Sequence, residues 1–143
     1  MRNPAIATGT RFASLPNMRF TFAAILGAHG IAHLVGFVVP WRLMSVAELP
    51  YRTTILAGRL DVGDGGIRIV GLLWLVAAVG MLGSAVAWAT ALDSAFYATM
   101  VAIFLSAALC LIEWPEARIG LFVNVALVLF LLLRARFAIS LRS

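Results

Sequence analysis

Four long apolar intervals, separated by polar segments, dominate the pattern of this chain. The intervals that contain no Asp, Glu, Lys or Arg are residues 20–39, 69–89, 95–112 and 119–133. A helix of about 20 apolar residues, rising about 1.5 Å per residue, crosses the hydrocarbon core of a bilayer. Each interval therefore predicts one membrane span. The last span continues to residue 139 if Arg134 and Arg136 extend their side chains toward the headgroups.

Backbone chemistry determines the fold class of these spans. An unpaired backbone amide is costly in hydrocarbon, so each span must satisfy its own hydrogen bonds as a helix throughout. The sequence predicts an all-α fold, an integral membrane four-helix bundle with both termini on the same side. We expect residues 1–17 to form an N-terminal tail and residues 18–140 to form the membrane domain. Its spans lie at about 20–39, 69–89, 95–112 and 119–139, with an outer loop over residues 41–67.

Arginine placement predicts the orientation of the spans. Six arginines precede the first span or close and follow the last: Arg2, Arg11, Arg19, Arg134, Arg136 and Arg142. Because cytoplasmic segments carry an excess of basic residues, we expect both termini to be cytoplasmic. The opposite side balances five arginines, Arg42, Arg52, Arg59, Arg68 and Arg118, against five carboxylates, Glu48, Asp61, Asp64, Glu113 and Glu116.

Composition supports a membrane protein and argues against nucleic-acid binding. The chain is 63% hydrophobic, with a mean hydropathy of +1.03, which is more apolar surface than a soluble core of 143 residues hides from water. All 11 basic residues are arginines, and the net charge is +5. Since these arginines flank apolar spans and form no basic stripe, we read them as membrane anchors with no nucleic-acid partner. The single Cys110 excludes an intrachain disulfide.

Two local patterns complete the prediction of the bundle. Residues 44–56 form an amphipathic stretch, broken by Pro50, which we expect on the outer surface, and residues 61–66 predict a plain turn. Small residues four positions apart, Ala24 with Ala28 and Gly80 with Ser84, predict close helix packing.

The two histidines are the main candidates for chemistry. His29 and His33 lie one helical turn apart in the first span, where polar side chains are rare and suggest function. Counting residues from the outer helix ends places Ser106, Asn124 and Trp74 at a similar depth, with Glu113 at the mouth of this polar layer.

Three interpretations of this layer stay open at the level of sequence. The polar side chains hydrogen-bond between helices, or they line a pocket that handles a ligand or a proton, or His29 and His33 hold a metal ion with ligands from elsewhere. Cys110 is interpreted as a small buried hydrophobe, because an apolar setting suppresses the reactive thiolate. No residue is assigned a catalytic role.

Several segments resemble one family of membrane proteins. The segments are His29-Gly30-Ile31-Ala32-His33-Leu34-Val35-Gly36-Phe37, Glu48-Leu49-Pro50, Gly71-Leu72-Leu73-Trp74-Leu75, the run from Cys110 to Gly120, and Asn124. Together they resemble uncharacterised bacterial four-span membrane proteins that carry an HGxxHLxGF pattern. The resemblance implies a four-span fold in the bacterial cytoplasmic (inner) membrane, and it implies no activity or cofactor. A looser similarity to DoxX-like proteins implies a redox-associated membrane role.

Three functions follow as hypotheses. The first is a non-enzymatic protein that packs against a membrane-protein partner or a second copy of itself. The second is a small-molecule or proton pathway that uses His29, His33 and Asn124. The third is a membrane redox or metal-binding protein. An enzyme is the less favoured class, since the chain contains no nucleophile-base pair and no phosphate-binding loop, and its cofactor stays unknown.

Overall fold

The computed structural model describes residues 15–140, and helices account for most of that range. In chain order the elements are α1 (Leu15–His33), α2 (Val35–Val38), β1 (Thr54–Ile55), β2 (Leu60–Asp61), α3 (Gly63–Ala89), α4 (Ala95–Ile112) and α5 (Arg118–Ser140). Most of the predicted N-terminal tail lies outside the described residues, as do Arg2, Arg11 and Arg142 of the orientation argument.

Three helical segments are long and apolar enough to cross a membrane. They are Met18–Val38, Gly63–Ala89 and Ala95–Ile112. Large apolar side chains on their outer faces are left uncovered by the rest of the chain: Ile69, Val79, Val101 and Phe104 are each more than 60% exposed. Such a surface suits lipid and not water. The predicted mainly helical character of the chain is therefore confirmed, and three of its helices have the length and composition of membrane spans.

The first span is less regular than predicted. Helix α1 ends at His33, and α2 begins at Val35, so the helix is interrupted at Leu34 and is not continuous throughout. The amide of Leu34 donates to Ile31 O, a tightened turn in place of the regular α-helical bond. The short α2 then carries the chain toward the loop.

Helices α1, α3, α4 and α5 pack in sequence order, with α1 against α3, α3 against α4, and α4 against α5. Near the α3–α4 turn their core is apolar, and Leu26, Met81, Ile103 and Leu131 are almost completely buried there. Gly80 allows close contact between α3 and α4, since a Cβ at this position would lie 3.3 Å from Ala102 Cβ. This part of the small-residue prediction agrees with the structure.

The other predicted small pair does not make a helix contact. Ala24 and Ala28 are exposed on α1, whereas Gly27 and Gly30 face α3. A Cβ at Gly30 would lie 3.0 Å from Met81 Cβ. The spacing of the alanines was compatible with packing, but the rotation of α1 about its axis turns the neighbouring glycine face toward α3.

The connection between α2 and α3 departs from two predictions. Residues 44–56 contain no helix; β1 and β2 form a two-residue antiparallel ladder, pairing Thr54 with Asp61. Helix α3 begins at Gly63, so the run predicted as a plain turn supplies the first helical turn. The Gly63 amide donates to Asp61 Oδ1 at 2.9 Å, which satisfies a backbone donor at the helix start. The described residues thus contain a small β-ladder in addition to the predicted helices.

Candidate functional site

A continuous polar network joins α1, α4 and α5 inside the bundle. His29 Nε2 lies 3.1 Å from Asn124 Oδ1, and Asn124 Nδ2 donates to Ser106 Oγ at 2.7 Å. Ser106 Oγ lies 2.5 Å from His33 Nε2. The two imidazole rings meet edge to face with their centroids 4.3 Å apart. All four residues are buried, and each makes a hydrogen bond to a residue on another helix.

The network determines where the proton sits on neutral His29. Asn124 Oδ1 can only accept, so His29 carries its proton on Nε2 and leaves Nδ1 as an acceptor. Ser106 Oγ accepts from Asn124, and its second lone pair and its proton allow a bond to His33 Nε2 with either tautomer of His33. The pair therefore offers two Nδ1 atoms that the network does not use, of which the one on His29 is an acceptor.

Trp74 and Gly36 complete the packing around His33. The Trp74 ring meets His33 edge to face, with centroids 4.9 Å apart and an interplanar angle of 83°. A Cβ added at Gly36 would lie 2.5 Å from Trp74 Cγ, which is too close for any side chain without displacement of the indole. Glycine at this position is thus required for α2 to cross over the indole of α3.

A second glycine allows α5 to approach α4. A Cβ at Gly120 would lie 2.9 Å from Cys110 Sγ and 3.8 Å from His29 Cε1. Cys110 is fully buried, and Asn124 Nδ2 lies 3.8 Å from its sulfur. The interpretation of Cys110 as a small buried residue fits this environment.

Both histidines line a cavity of about 500 Å³ between the helices and the connecting loop. Its walls are mostly apolar and include Ala32, Val39, Ile67, Trp74, Ala117, Ile119 and Val123. Residues 48–52 of the loop form one side. Ser106 and Asn124 are not among the lining residues; they contact the histidines from the helices behind. The cavity thus combines an apolar wall with two fixed imidazoles.

Charged residues surround the mouth of the cavity. Arg52 donates to Glu116 Oε1 and, at 3.3 Å, to Glu113 Oε2. Burial raises the pKa of the Glu113 carboxyl, although the Arg52 guanidinium opposes the shift. The hydrogen bond from Arg52 lowers the pKa of Glu116, whose side chain is more exposed. Glu113 Oε1 is buried and has no hydrogen-bond partner among the described residues.

Three contacts hold the loop in place beside the cavity. Tyr51 Oη donates to Asp64 Oδ1 at 2.6 Å, and the Leu56 amide donates to Ile112 O at 2.8 Å. The third contact is the ion pair of Arg52 with the two glutamates. The loop is thus attached to the start of α3 and the end of α4.

The structure places the six predicted site residues as follows. Four of them, His29, His33, Ser106 and Asn124, form the hydrogen-bonded network. Trp74 contacts His33, while Glu113 lines the same cavity without bonding to the network. Their proposed role in handling a ligand or a proton stays a prediction.

Sequence reasoning missed the contribution of the loop. Arg52 and Tyr51 line the cavity, but the loop was predicted as a surface segment. The available signal was the apolar Leu49-Pro50-Tyr51 run next to Arg52, since a loop that faces only water has little use for such residues. Gly36 was noted only as part of the HGxxHLxGF pattern.

The metal-site hypothesis gains no support from the donor set. Within residues 15–140 as described, no three His, Cys, Asp or Glu side chains are grouped closely enough to hold a metal ion. The Nε2 atoms of His29 and His33 are already engaged by Asn124 and Ser106. Metal binding by the histidines therefore stays an untested prediction.

Comparisons with known proteins add no relative: no family model, curated protein or solved structure matches the chain. The functional interpretation therefore depends on the geometry of the site.

Proposed function

We propose that the chain is a four-span protein of the bacterial cytoplasmic membrane, with both termini cytoplasmic, that binds a small molecule in the histidine-lined cavity. Helix α5 supplies the fourth span. It has 23 residues, and at about 1.5 Å per residue it is long enough to cross the hydrocarbon core. Its outward-facing Phe122, Leu129 and Leu133 are more than 50% exposed, as lipid-facing residues are.

One observation carries the binding proposal: both histidines line a cavity while their Nε2 atoms are held by partners on other helices. Histidines that only joined helices would not need an adjoining space of about 500 Å³. The Nδ1 atom of each ring has no hydrogen-bond partner among the described residues. Neither Nδ1 atom is fully buried, so a small molecule can reach it. These two atoms are therefore available to orient a bound molecule.

Cavity size and lining define the class of ligand. Small-molecule pockets measure about 300 to 1,000 Å³ and combine apolar walls with a few fixed polar groups. Here the fixed groups are the Nδ1 atoms of the two histidines, of which the one on His29 is an acceptor. They match a mainly apolar ring that carries a hydroxyl or carbonyl oxygen, such as a quinol or quinone. Trp74 offers an aromatic face beside the same site.

A pocket fits the arrangement better than a proton pathway through the bundle. Between the network and the α3–α4 turn the core consists of Leu26, Met81, Ile103 and other apolar side chains. Ser84 and Thr99 are the buried hydroxyls in that half, and each donates to a carbonyl of its own helix. In the described part of the chain, polar side chains thus reach from the cavity to the histidine layer and stop there.

Titration of the purified full chain with menadione, an apolar quinone that quenches tryptophan fluorescence, tests the proposal. We expect saturable quenching that Trp74→Phe largely removes and that Trp88→Phe, at the far end of the bundle, preserves. His33→Phe removes one of two oriented hydrogen bonds, so the dissociation constant should rise about tenfold. Circular dichroism establishes that each variant keeps its helix content.

Two results would count against binding at this site. One is quenching that never saturates, and the other is an equal dissociation constant in the wild type and His33→Phe proteins together with undiminished quenching in Trp74→Phe. Mass spectrometry of organic molecules extracted from the gently purified protein would then show whether a different apolar ligand is retained. The packing role with a membrane partner stays a prediction, since lipid alone accounts for the exposed apolar faces.

A further inference from the structure

A second cavity, of about 470 Å³, lies at the opposite end of the bundle from the histidines. It lies open to the surface between the beginning of α1, the turn between α3 and α4, and the later part of α5. Two arginines from different helices line it, Arg19 and Arg134, together with Trp88, Asp93 and Phe96. The two guanidinium groups are brought to one space by helices that are far apart in sequence.

Neither arginine finds an anionic partner among the described residues. The Arg134 Cζ atom lies 4.4 Å from the centroid of the Trp88 ring, and Trp88 is held in turn by its Nε1 donating to Thr99 Oγ1 at 2.9 Å. Arg19 Nε is buried without a hydrogen bond. Asp93 lines the same cavity, yet it makes no ion pair with either guanidinium. No carboxylate within 4.0 Å among the described residues thus offsets the charge of either guanidinium.

We propose that this cavity binds a phosphate group, with Arg19 and Arg134 as its ligands. Arginine presents several donors in a planar fork that matches phosphate oxygens, and two arginines against one aspartate leave a net positive site. Ala95, the first residue of α4, lines the cavity, so the positive end of an 18-residue helix also faces the anion. Trp88, Leu92 and Phe96 provide an apolar wall beside it.

Two sources can supply this phosphate, an anionic phospholipid headgroup or inorganic phosphate. Both arginines lie near the ends of apolar helices, the level at which headgroups meet a membrane protein. The apolar wall suits the glycerol and first methylenes of a lipid, which free phosphate lacks. The chemistry of recognition is the same for both sources, so the experiment separates them with distinct probes.

The test measures binding of three probes to the purified full chain: phosphatidylglycerol, phosphatidylcholine with the same acyl chains, and inorganic phosphate. Native mass spectrometry reads lipid adducts, and competition by inorganic phosphate reads the free anion. For Arg19→Gln combined with Arg134→Gln we expect about tenfold weaker binding of the preferred probe, since charge-assisted hydrogen bonds are lost. Arg59→Gln combined with Arg118→Gln changes the net charge equally at the other end and should leave binding unchanged.

The outcomes divide clearly. Selective loss of phosphatidylglycerol in the Arg19 and Arg134 variant supports the site with a lipid source, and selective loss of competition by inorganic phosphate supports it with a free anion. Equal weakening in the two double variants, or no saturable binding of any probe, overturns the proposal. If the double variant does not fold, Arg134→Lys is the substitute, because it keeps the positive charge but removes the planar guanidinium. Binding about threefold to tenfold weaker is then expected.

Discussion

The two ends of the bundle differ in how they accommodate charge. At the histidine end, defined by the His29–His33 cavity and its mouth, arginines meet carboxylates: Arg52 pairs with Glu113 and Glu116. At the arginine end, defined by the cavity of Arg19 and Arg134, neither guanidinium has a carboxylate partner among the described residues. At the first end the protein itself supplies the carboxylates that pair with Arg52. The second end lacks an anion, which the surroundings must supply.

The cores beneath the two ends differ as well. Apolar side chains such as Leu26 and Met81 fill the half near the arginine end. The half near the histidine end instead contains a cavity and the hydrogen-bonded network. Lipid is as apolar as leucine, so helix association depends on close packing and on bonds between helices. The network thus joins α1, α4 and α5 where the cavity leaves fewer packing contacts.

The largest effect is expected for the apolar core. Leu26 is fully buried, so Leu26→Ala should lower the free energy of unfolding by about 2 to 4 kcal/mol through lost contacts and a cavity. The neighbouring Ile25 is 46% exposed, and Ile25→Ala serves as the matched control, with a loss below about 1 kcal/mol. Unfolding in mixed detergent micelles measures both. Equal losses would show that this half is not packed more tightly than its lipid-facing surface.

An intermediate effect is expected for the network. Ser106 bonds with His33 and Asn124, so Ser106→Ala should lower the free energy of unfolding by about 1 kcal/mol, within the range measured for interhelical bonds in membranes. Ser84 is equally buried but donates to Gly80 O of its own helix, which makes Ser84→Ala the control with a smaller loss. The same unfolding assay applies. A larger loss for Ser84→Ala would contradict an interhelical role of the network.

The smallest effect is expected at the mouth, where two glutamates share Arg52. Glu116 has a lowered pKa, so its ion pair contributes stability above its ordinary pKa that is lost as the pH falls through the lowered value. Glu116→Gln should therefore cost up to about 1 kcal/mol near neutral pH. The cost should disappear in acid.

Glu113 should show the opposite sign. The pKa of Glu113 is raised, so above that pKa the buried charged carboxyl lowers the stability of the folded state. Below the ordinary pKa of about 4.3 the carboxyl is protonated in both states and this penalty is absent. Glu113→Gln should therefore leave the free energy of unfolding unchanged or slightly increased near neutral pH. Melting temperatures of both variants across acid and neutral pH test this contrast. A larger loss for Glu113→Gln than for Glu116→Gln at neutral pH would reverse the assignment.

Much of the candidate site could be predicted from the sequence because depth in a membrane is a linear quantity. Counting residues from helix ends placed Ser106, Asn124 and Trp74 level with His33. In the structure Ser106 bonds to His33, Trp74 contacts its ring, and Asn124 bonds to Ser106. The count could not give the rotation of each helix about its axis. For that reason the Ala24 and Ala28 pair was assigned to a helix contact although both residues are exposed.

The sequence by itself determined the apolar spans, their helical character and the histidine layer, because each depends on local composition or on distance along one helix. Only the tertiary structure decided that residues 48–52 close the side of a cavity, that Gly36 admits the Trp74 indole, and that Arg19 and Arg134 share a space. These features depend on contacts between segments distant in sequence. The periodicity of a single helix does not specify which other segment packs against it.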